Sequence, residues 1–436
     1  MQFDEFTPIT KDEWKCLIVK SIKAETEAEK ILFYEQKLVQ KPEPGVEIHP
    51  FYTAEDVAEL DYLKGFHRLW TQTKKTTGWM NVAAVHVYDE KTANAEAHEA
   101  LARGADAVEF NLWNRPGGKP MIEGGVTEEH FFDFTTLLEG ISPLQRPVYF
   151  QLRQSNLSNF GQYLEQFGGD VKNAMGGITF LETTTWHLAS EENDKNEFAA
   201  AFQNSIFSNV KSPLLGKPVP TGREGLGGGL PYFKPLLIEP VGGWFEDEDG
   251  AMETFALSQT VLLSNQLQAA IRLVEQLAER GVPVTQTLPQ VGFVVDMGNH
   301  YFLEIAKLRA LRLLWWQIGR LYDQNLNLVD VFIHARTANA VPPEKEPYQN
   351  LISNTTQAMS AIVGGCDALT VASPPPVGEG SGMGLRVARN VSAILKEESY
   401  FDKVTDMGAG SYLIENLTHQ LAKGIWEKLP FWAKNA

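Results

Sequence analysis

The chain has 436 residues, 43% of them hydrophobic and 21% charged, with a formal net charge of −17 and a pI near 5.1. That composition suits a globular protein with a sizeable core, and its acidity without any Lys/Arg cluster excludes a phosphate-backbone binder, so nucleic acid is not an expected partner. Two cysteines, Cys16 and Cys366, make no disulfide framework or zinc spacing; with no leader-like pattern in MQFDEFTP and no apolar run of about 18 residues, a cytoplasmic chain with no membrane span and no metal is expected.

The first predicted helix runs from Lys11 to Leu38, with Trp14, Leu17, Ile18, Ile22, Ile31 and Leu32 among charges. Pro42, Pro44 and Gly45 end it, and Gly45 to Asp56 reads as extended chain entering a turn. Residues 1–60 therefore form an arm rather than a domain.

From about Met80 a strand, a loop and a helix recur. Strands are predicted to begin near Asn81, Ala107, Pro147, Gly177, Lys234, Gln290, Val329 and Asp367, with helices Thr92–Arg103, Thr127–Glu139 and Glu253–Arg280 each closed by glycine. Runs such as VGFVV are continuously apolar, as strands covered on both faces require. Eight such units predict an α/β fold, a (β/α)8 TIM barrel over residues 61–400; an open doubly wound sheet is the alternative. Residues 401–436 read as a helical tail, with one amphipathic helix from Glu415 to Leu429.

Polar residues at the predicted strand ends are Tyr88, Asn111, Gln151, Glu182, Glu239, Asp296, His334 and Ser373. Glu182 and Glu239, on neighbouring strands, have the chemistry of a general acid and base, and with Asp296 and His334 that of a divalent-metal site. Mutual hydrogen bonding is the bland alternative. His334 and Arg336 together are either a structural pair or a place for an acidic ligand. The glycine-rich stretch from Ser212 to Phe233 reads as a surface loop, and VASPPPVGEGSGMG as a weak phosphate-loop candidate leading to a helix near Gly384. The acidic run Glu246–Asp249, inside KPLLIEPVGGWFEDEDGA, is read as the start of the long helix that follows it.

Several long stretches resemble the methylmalonyl-CoA mutase family: FLEIAKLRALRLLW from Phe302, PYQNLISNTTQAMSAIVGG from Pro347, LRVARNVSAILKEESYFDKVTDMGAGSYLIENLT from Leu385, and IHPFYTAED from Ile48. The resemblance implies a barrel whose axis receives acyl-CoA, an adenosylcobalamin cofactor, and a histidine contributed to cobalt by an Asp-x-His-x-x-Gly motif that this sequence does not contain. Cobalamin is therefore not expected to be bound by this chain.

Against the family pattern, Trp244 and Phe245 stand where a catalytic Tyr-His pair is expected, and phenylalanine can neither donate nor accept the hydrogen bond required there. Gln290 and Gly292 replace an Arg and a Ser for the CoA portion. Thr77 to Ala84 replaces a strand bearing a substrate tyrosine, and Arg336-Thr337-Ala338-Asn339 replaces Gln-Thr-Ser-Gly. This pattern is similar to the non-catalytic small-subunit branch of the family. It implies no catalytic residues here, with Glu182, Glu239, His334 and Arg336 as pocket candidates only. It also implies a heterodimer with a large catalytic subunit that alone takes acyl-CoA and interconverts methylmalonyl-CoA and succinyl-CoA in propionate metabolism. The alternative is the barrel of a self-sufficient acyl-CoA mutase whose cobalamin domain is a separate chain.

Overall fold

Apolar runs bounded by glycine and proline become eight parallel strands closed into one barrel. The computed structural model describes residues 9–74, 78–112, 132–143, 145–152, 175–180, 234–240, 244–246, 252–254, 258–339, 348–373 and 381–429. In chain order the described strands are β1 (Gln40–Glu43), β2 (Val46–Ile48), β3 (Met80–His86), β4 (Ala107–Asn111), β5 (Val148–Leu152), β6 (Gly176–Phe180), β7 (Lys234–Ile238), β8 (Trp244–Glu246), β9 (Met252–Thr254), β10 (Val291–Met297), β11 (Phe332–Thr337) and β12 (Ala368–Thr370). The barrel order is β10-β11-β12-β3-β4-β5-β6-β7, all neighbours being parallel, which closes the ring and removes the open doubly wound sheet as an alternative. β1 with β2, and β8 with β9, form two small antiparallel hairpins outside it.

Alternation along each strand sorts side chains to the two faces of the barrel wall. Outward residues such as Leu236, Ile238, Phe293, Val295, Ile333 and Leu369 join the main core beneath the helices. Val85, Val108, Phe110, Val148, Phe150 and Ile178 form a second outer cluster with the Glu90–Ala102 helix. Inward residues Met80, Val82, Ala107, Tyr149, Leu237, Val294, Phe332 and Ala368 pack against one another inside the ring.

The helix Tyr301–Tyr322 is enclosed almost all round, and Glu304, Lys307, Arg309 and Arg312 are as buried as its leucines. Each of these charges is met. Lys307 pairs with Glu304, and Arg312 donates to the carbonyls of Val331 (2.6 Å) and Gly365 (2.9 Å) and to Asp367 (3.2 Å) while its guanidinium lies 4.7 Å from the Trp70 ring. Arg309 binds Asp406 and, at 2.8 Å, Glu415, so the helix fastens both the loop at 406 and the tail helix Tyr412–Lys428. Val46, Ile48, Val57 and Leu60 from the chain's first 60 residues, and Leu417, Leu421 and Ile425 from its tail, are buried in this same main core.

Three predicted elements differ. The helix from Lys11 to Leu38 is broken into Lys11–Ser21 and Glu27–Phe33, followed by a wider turn at Tyr34–Leu38, because Thr26 and Glu29 form a reciprocal capping box that starts a new helix. The helix placed at Glu253–Arg280 begins only at Gln259, since Met252–Thr254 pairs with Trp244–Glu246 as a strand. The acidic run is therefore not the first turn of that helix: Glu246 ends β8, and 247–250 lie outside the described residues. Of Thr127–Glu139, only Phe134–Leu137 is helical among the described residues. Gly104 and Gly281 close their helices at φ +101° and +87°, the left-handed region where glycine is unstrained.

Candidate site at the barrel mouth

Parallel strands deliver side chains to the carboxyl end of the ring, and the alternation that buries Tyr149, Leu237 and Phe332 inside it carries Gln151, Glu239, His334 and Arg336 to the levels above. The floor is tight. Tyr149 stacks on Phe332 with centroids 5.9 Å apart and lies 5.3 Å from the His334 ring, and its hydroxyl points at Met80 Sδ at 4.0 Å. Gly292 faces this floor, and a Cβ there would stand 2.7 Å from Leu237 Cδ2 and 3.2 Å from Phe332 Cδ1. The space of its missing side chain is taken by its neighbours.

Above the floor one guanidinium spans the ring. Arg336 Nη2 donates to Glu109 of β4, and Nη1 donates to Glu239, just past β7, at 2.5 Å. Gln151 Nε2 also donates to Glu239, at 3.0 Å, tying β5 to the same carboxylate. His334 lies one level lower, wholly buried, with Nε2 2.8 Å from the Thr370 hydroxyl and Nδ1 3.9 Å from Glu109.

The electrostatics follow from burial and this one cation. Burial pushes Glu109 up, but the Arg336 charge and hydrogen bond, together with His334 and His86 nearby, outweigh it and leave the carboxyl below its usual range. Burial wins at Glu239, where Arg336 offsets only part of it and the charges of Asp296 and Glu109 act in the same direction as burial. Burial draws His334 down to about 4, so near neutral pH it is an uncharged imidazole. For Arg336, burial acts against the charge, yet the two glutamates hold the guanidinium above its ordinary value. Its charge is answered twice, leaving none to spare for an anion.

Of the four pocket candidates, Glu239 and Arg336 are therefore brought into direct contact, His334 lies below them, and Glu182 lies outside the described residues. Asp296 is exposed at the end of β10, and Tyr88 is exposed beyond β3 with its ring 6.3 Å from that of His86. Sequence reasoning passed over Glu109. The available signal was a charged residue between Val108 and Phe110 in an otherwise apolar strand.

Trp244 and Phe245 sit in the β8–β9 hairpin, opposite Thr254 and Glu253. The glycine-rich stretch 212–233 lies outside the described residues. So do 374–380, ahead of the Ser381–Glu397 helix proposed to follow a phosphate loop. Among the described residues no group of three or more His, Cys, Asp or Glu could hold a metal ion, and no helix is long and apolar enough to cross a membrane.

Comparison with known proteins bears on this geometry. The family model described as methylmalonyl-CoA mutase matches residues 248–430. A methylmalonyl-CoA mutase small subunit from Porphyromonas gingivalis is 26% identical, over 98% of this chain and 63% of that protein. A methylmalonyl-CoA mutase large subunit from Streptomyces virginiae is 23% identical, over 96% of this chain and 55% of that protein. A probable methylmalonyl-CoA mutase small subunit from Mycobacterium bovis is 32% identical over 38% of this chain and 28% of its own length. The chain thus spans under two thirds of the length of these relatives.

Proposed function

The chain belongs to the methylmalonyl-CoA mutase family, and from that premise we propose that it is the small, non-catalytic subunit of a heterodimeric mutase that interconverts methylmalonyl-CoA and succinyl-CoA. The observation that carries the proposal is the filled barrel. A route for acyl-CoA along the axis would have to pass Tyr149 and the Leu237 and Phe332 side chains packed beside Gly292, and above them the Arg336 bridge between Glu109 and Glu239. Dislodging that bridge would strand two carboxylates, at a cost on the order of 1–3 kcal/mol, unless the incoming group replaces the cation. A neutral thioester arm cannot.

Relatives named as small and large subunits support a subunit partnership. In our reading the partner is the large catalytic subunit and holds the acyl-CoA. Residues 1–60 form the arm that meets it, ahead of the barrel at 61–400 and the tail at 401–436. The arm leaves Leu17, Ile31, Leu32 and Phe33 each about half exposed on two short helices, apolar surface suited to a protein neighbour. The family uses adenosylcobalamin. His334 is not placed to ligate it, being wholly buried with Nε2 committed to Thr370, and the proposal assigns the cofactor to the partner. A cytoplasmic location goes with the same reading.

Two measurements test the proposal. Mixed with its cognate large subunit, the chain should elute as a stable heterodimer on size-exclusion chromatography, and calorimetric titration of the chain alone with methylmalonyl-CoA should give no binding heat. Saturable binding by the lone chain would overturn the non-catalytic reading and favour a self-sufficient acyl-CoA mutase barrel.

A further inference from the structure

The N-terminus of the Gln259–Glu279 helix is capped from more than 200 positions away. Glu43, the last residue of β1, is buried and receives the Gln259 amide at 2.5 Å on Oε2 and the Thr260 amide at 3.2 Å on Oε1. A carboxylate on two first-turn N–H groups satisfies donors the helix cannot satisfy itself and lies at the positive end of its dipole. The local cap is weaker: the Ser258 hydroxyl is 3.4 Å from the Val261 amide.

The hairpin that carries Glu43 is held on its other edge by the tail. Gln420 accepts the Glu47 amide at 2.8 Å and donates to the Glu47 carbonyl at 3.1 Å, pairing with β2 as another strand would. From its middle, the capped helix sends a wholly buried Gln266 into the barrel wall. Its Nε2 donates at 2.7 Å to both the Ile238 and the Val294 carbonyls, at the level where β7–β10 pairing ends with Phe293 opposite Ile238. The next residue is Glu239. At the helix start, Gln259 Oε1 also receives Lys307 Nζ at 3.1 Å, and the same ammonium reaches the Asp296 carbonyl at 2.7 Å.

We propose that the Gln40–Ile48 hairpin is a strap latched to the barrel by Glu43, and that the closed latch fixes, through the Gln259–Glu279 helix and its Gln266, the end of β7 that offers Glu239 to Arg336. Glu43 and Gln266 are positioning residues in this arrangement. Whatever pulls on the arm is then felt at the barrel mouth. The inference goes beyond the subunit reading and concerns this chain alone, so the two can fail separately.

Hydrogen–deuterium exchange with mass spectrometry on the full chain tests it. In Glu43→Ala, exchange should rise roughly tenfold, the scale of a lost helix cap, at residues 40–48 and 259–262. A smaller rise is expected at 236–240, with 303–315 unchanged. Glu43→Gln, which keeps an acceptor but loses the charge, should show the same pattern at lower amplitude, and it decides the matter if the alanine variant exchanges everywhere. Gln266→Leu should raise exchange at 236–240 and leave 40–48 as it was. Unchanged exchange at 40–48 in both Glu43 variants would overturn the latch; a rise confined to 40–48 and 259–262 would overturn its link to the mouth.

Discussion

Arg309 and Arg336 are held by nearly the same set of groups in two different places. Arg309 has Asp406, Glu415 and His67 around it; Arg336 has Glu109 and Glu239, with His334 below. The first cluster lies outside the barrel and ties a helix on the main core to a loop and to the tail helix. The second lies inside the ring at the end where strands deliver chemistry. Two carboxylates, an arginine and a histidine therefore say little about function until their place in the fold is known. The outer clamp draws Arg309, Asp406 and Glu415 from two of the stretches that resemble the mutase family. The inner bridge draws Glu109, Glu239 and Arg336 from outside those stretches.

Removing each arginine should separate the two roles. Arg309→Met leaves Asp406 and Glu415 buried without a cation and should cost about 3–5 kcal/mol in urea unfolding, with the tail helix losing exchange protection first. A loss below about 1 kcal/mol would mean the clamp is incidental.

Arg336→Met should cost less, on the order of 1–3 kcal/mol, because Glu239 keeps some exposure and its Gln151 hydrogen bond. Without the guanidinium, burial dominates at both glutamates, so each prefers to be protonated and the variant should approach the wild type as pH falls from 7 towards 5. An equal deficit at both pH values would show that the stranded carboxylates are not its cause.

The barrel itself was legible because each of its signals is local. Continuous apolar runs gave the eight strands, and glycines such as Gly104 and Gly281 ended helices where they were expected. The overlong helix at Lys11–Leu38 also had a local answer, since Thr26 and Glu29 stand at capping-box spacing. What could not be read is set by long-range partners. Met252–Thr254 is a strand through its pairing with 244–246, a partner outside its own stretch. Glu109 has its partner 227 positions away, and Glu43 gives no hint that it caps a helix begun 216 positions later. Grouping Glu239 with Asp296 and His334, and His334 with Arg336, the sequence pattern leaves out Glu109; only the closed ring joins Arg336 to Glu109 and Glu239 as a bridge.

Acid separates the two clusters by the pH at which each begins to fail. His334, at the inner bridge, is drawn from an ordinary 6.5 down to about 4 by burial. The unfolded chain therefore takes up a proton near pH 6.5 that the folded chain refuses until about 4, and stability falls as pH drops through that window. At the outer clamp, burial would raise Glu415, but the hydrogen bond from His67, the Arg309 charge and the Gly410 amide together bring it from 4.5 to about 2. Its contribution is complete above 4.5 and is lost as pH falls from there towards 2. Each window carries at most one proton, which caps the slope within it at about 1.4 kcal/mol per pH unit. Urea unfolding across pH 3 to 7.5 should show His334→Gln flattening the upper window and Glu415→Gln the lower one. If both variants flattened the same window, the bridge and the clamp would be one coupled electrostatic unit, and the division between the mouth and the outer scaffold would fail.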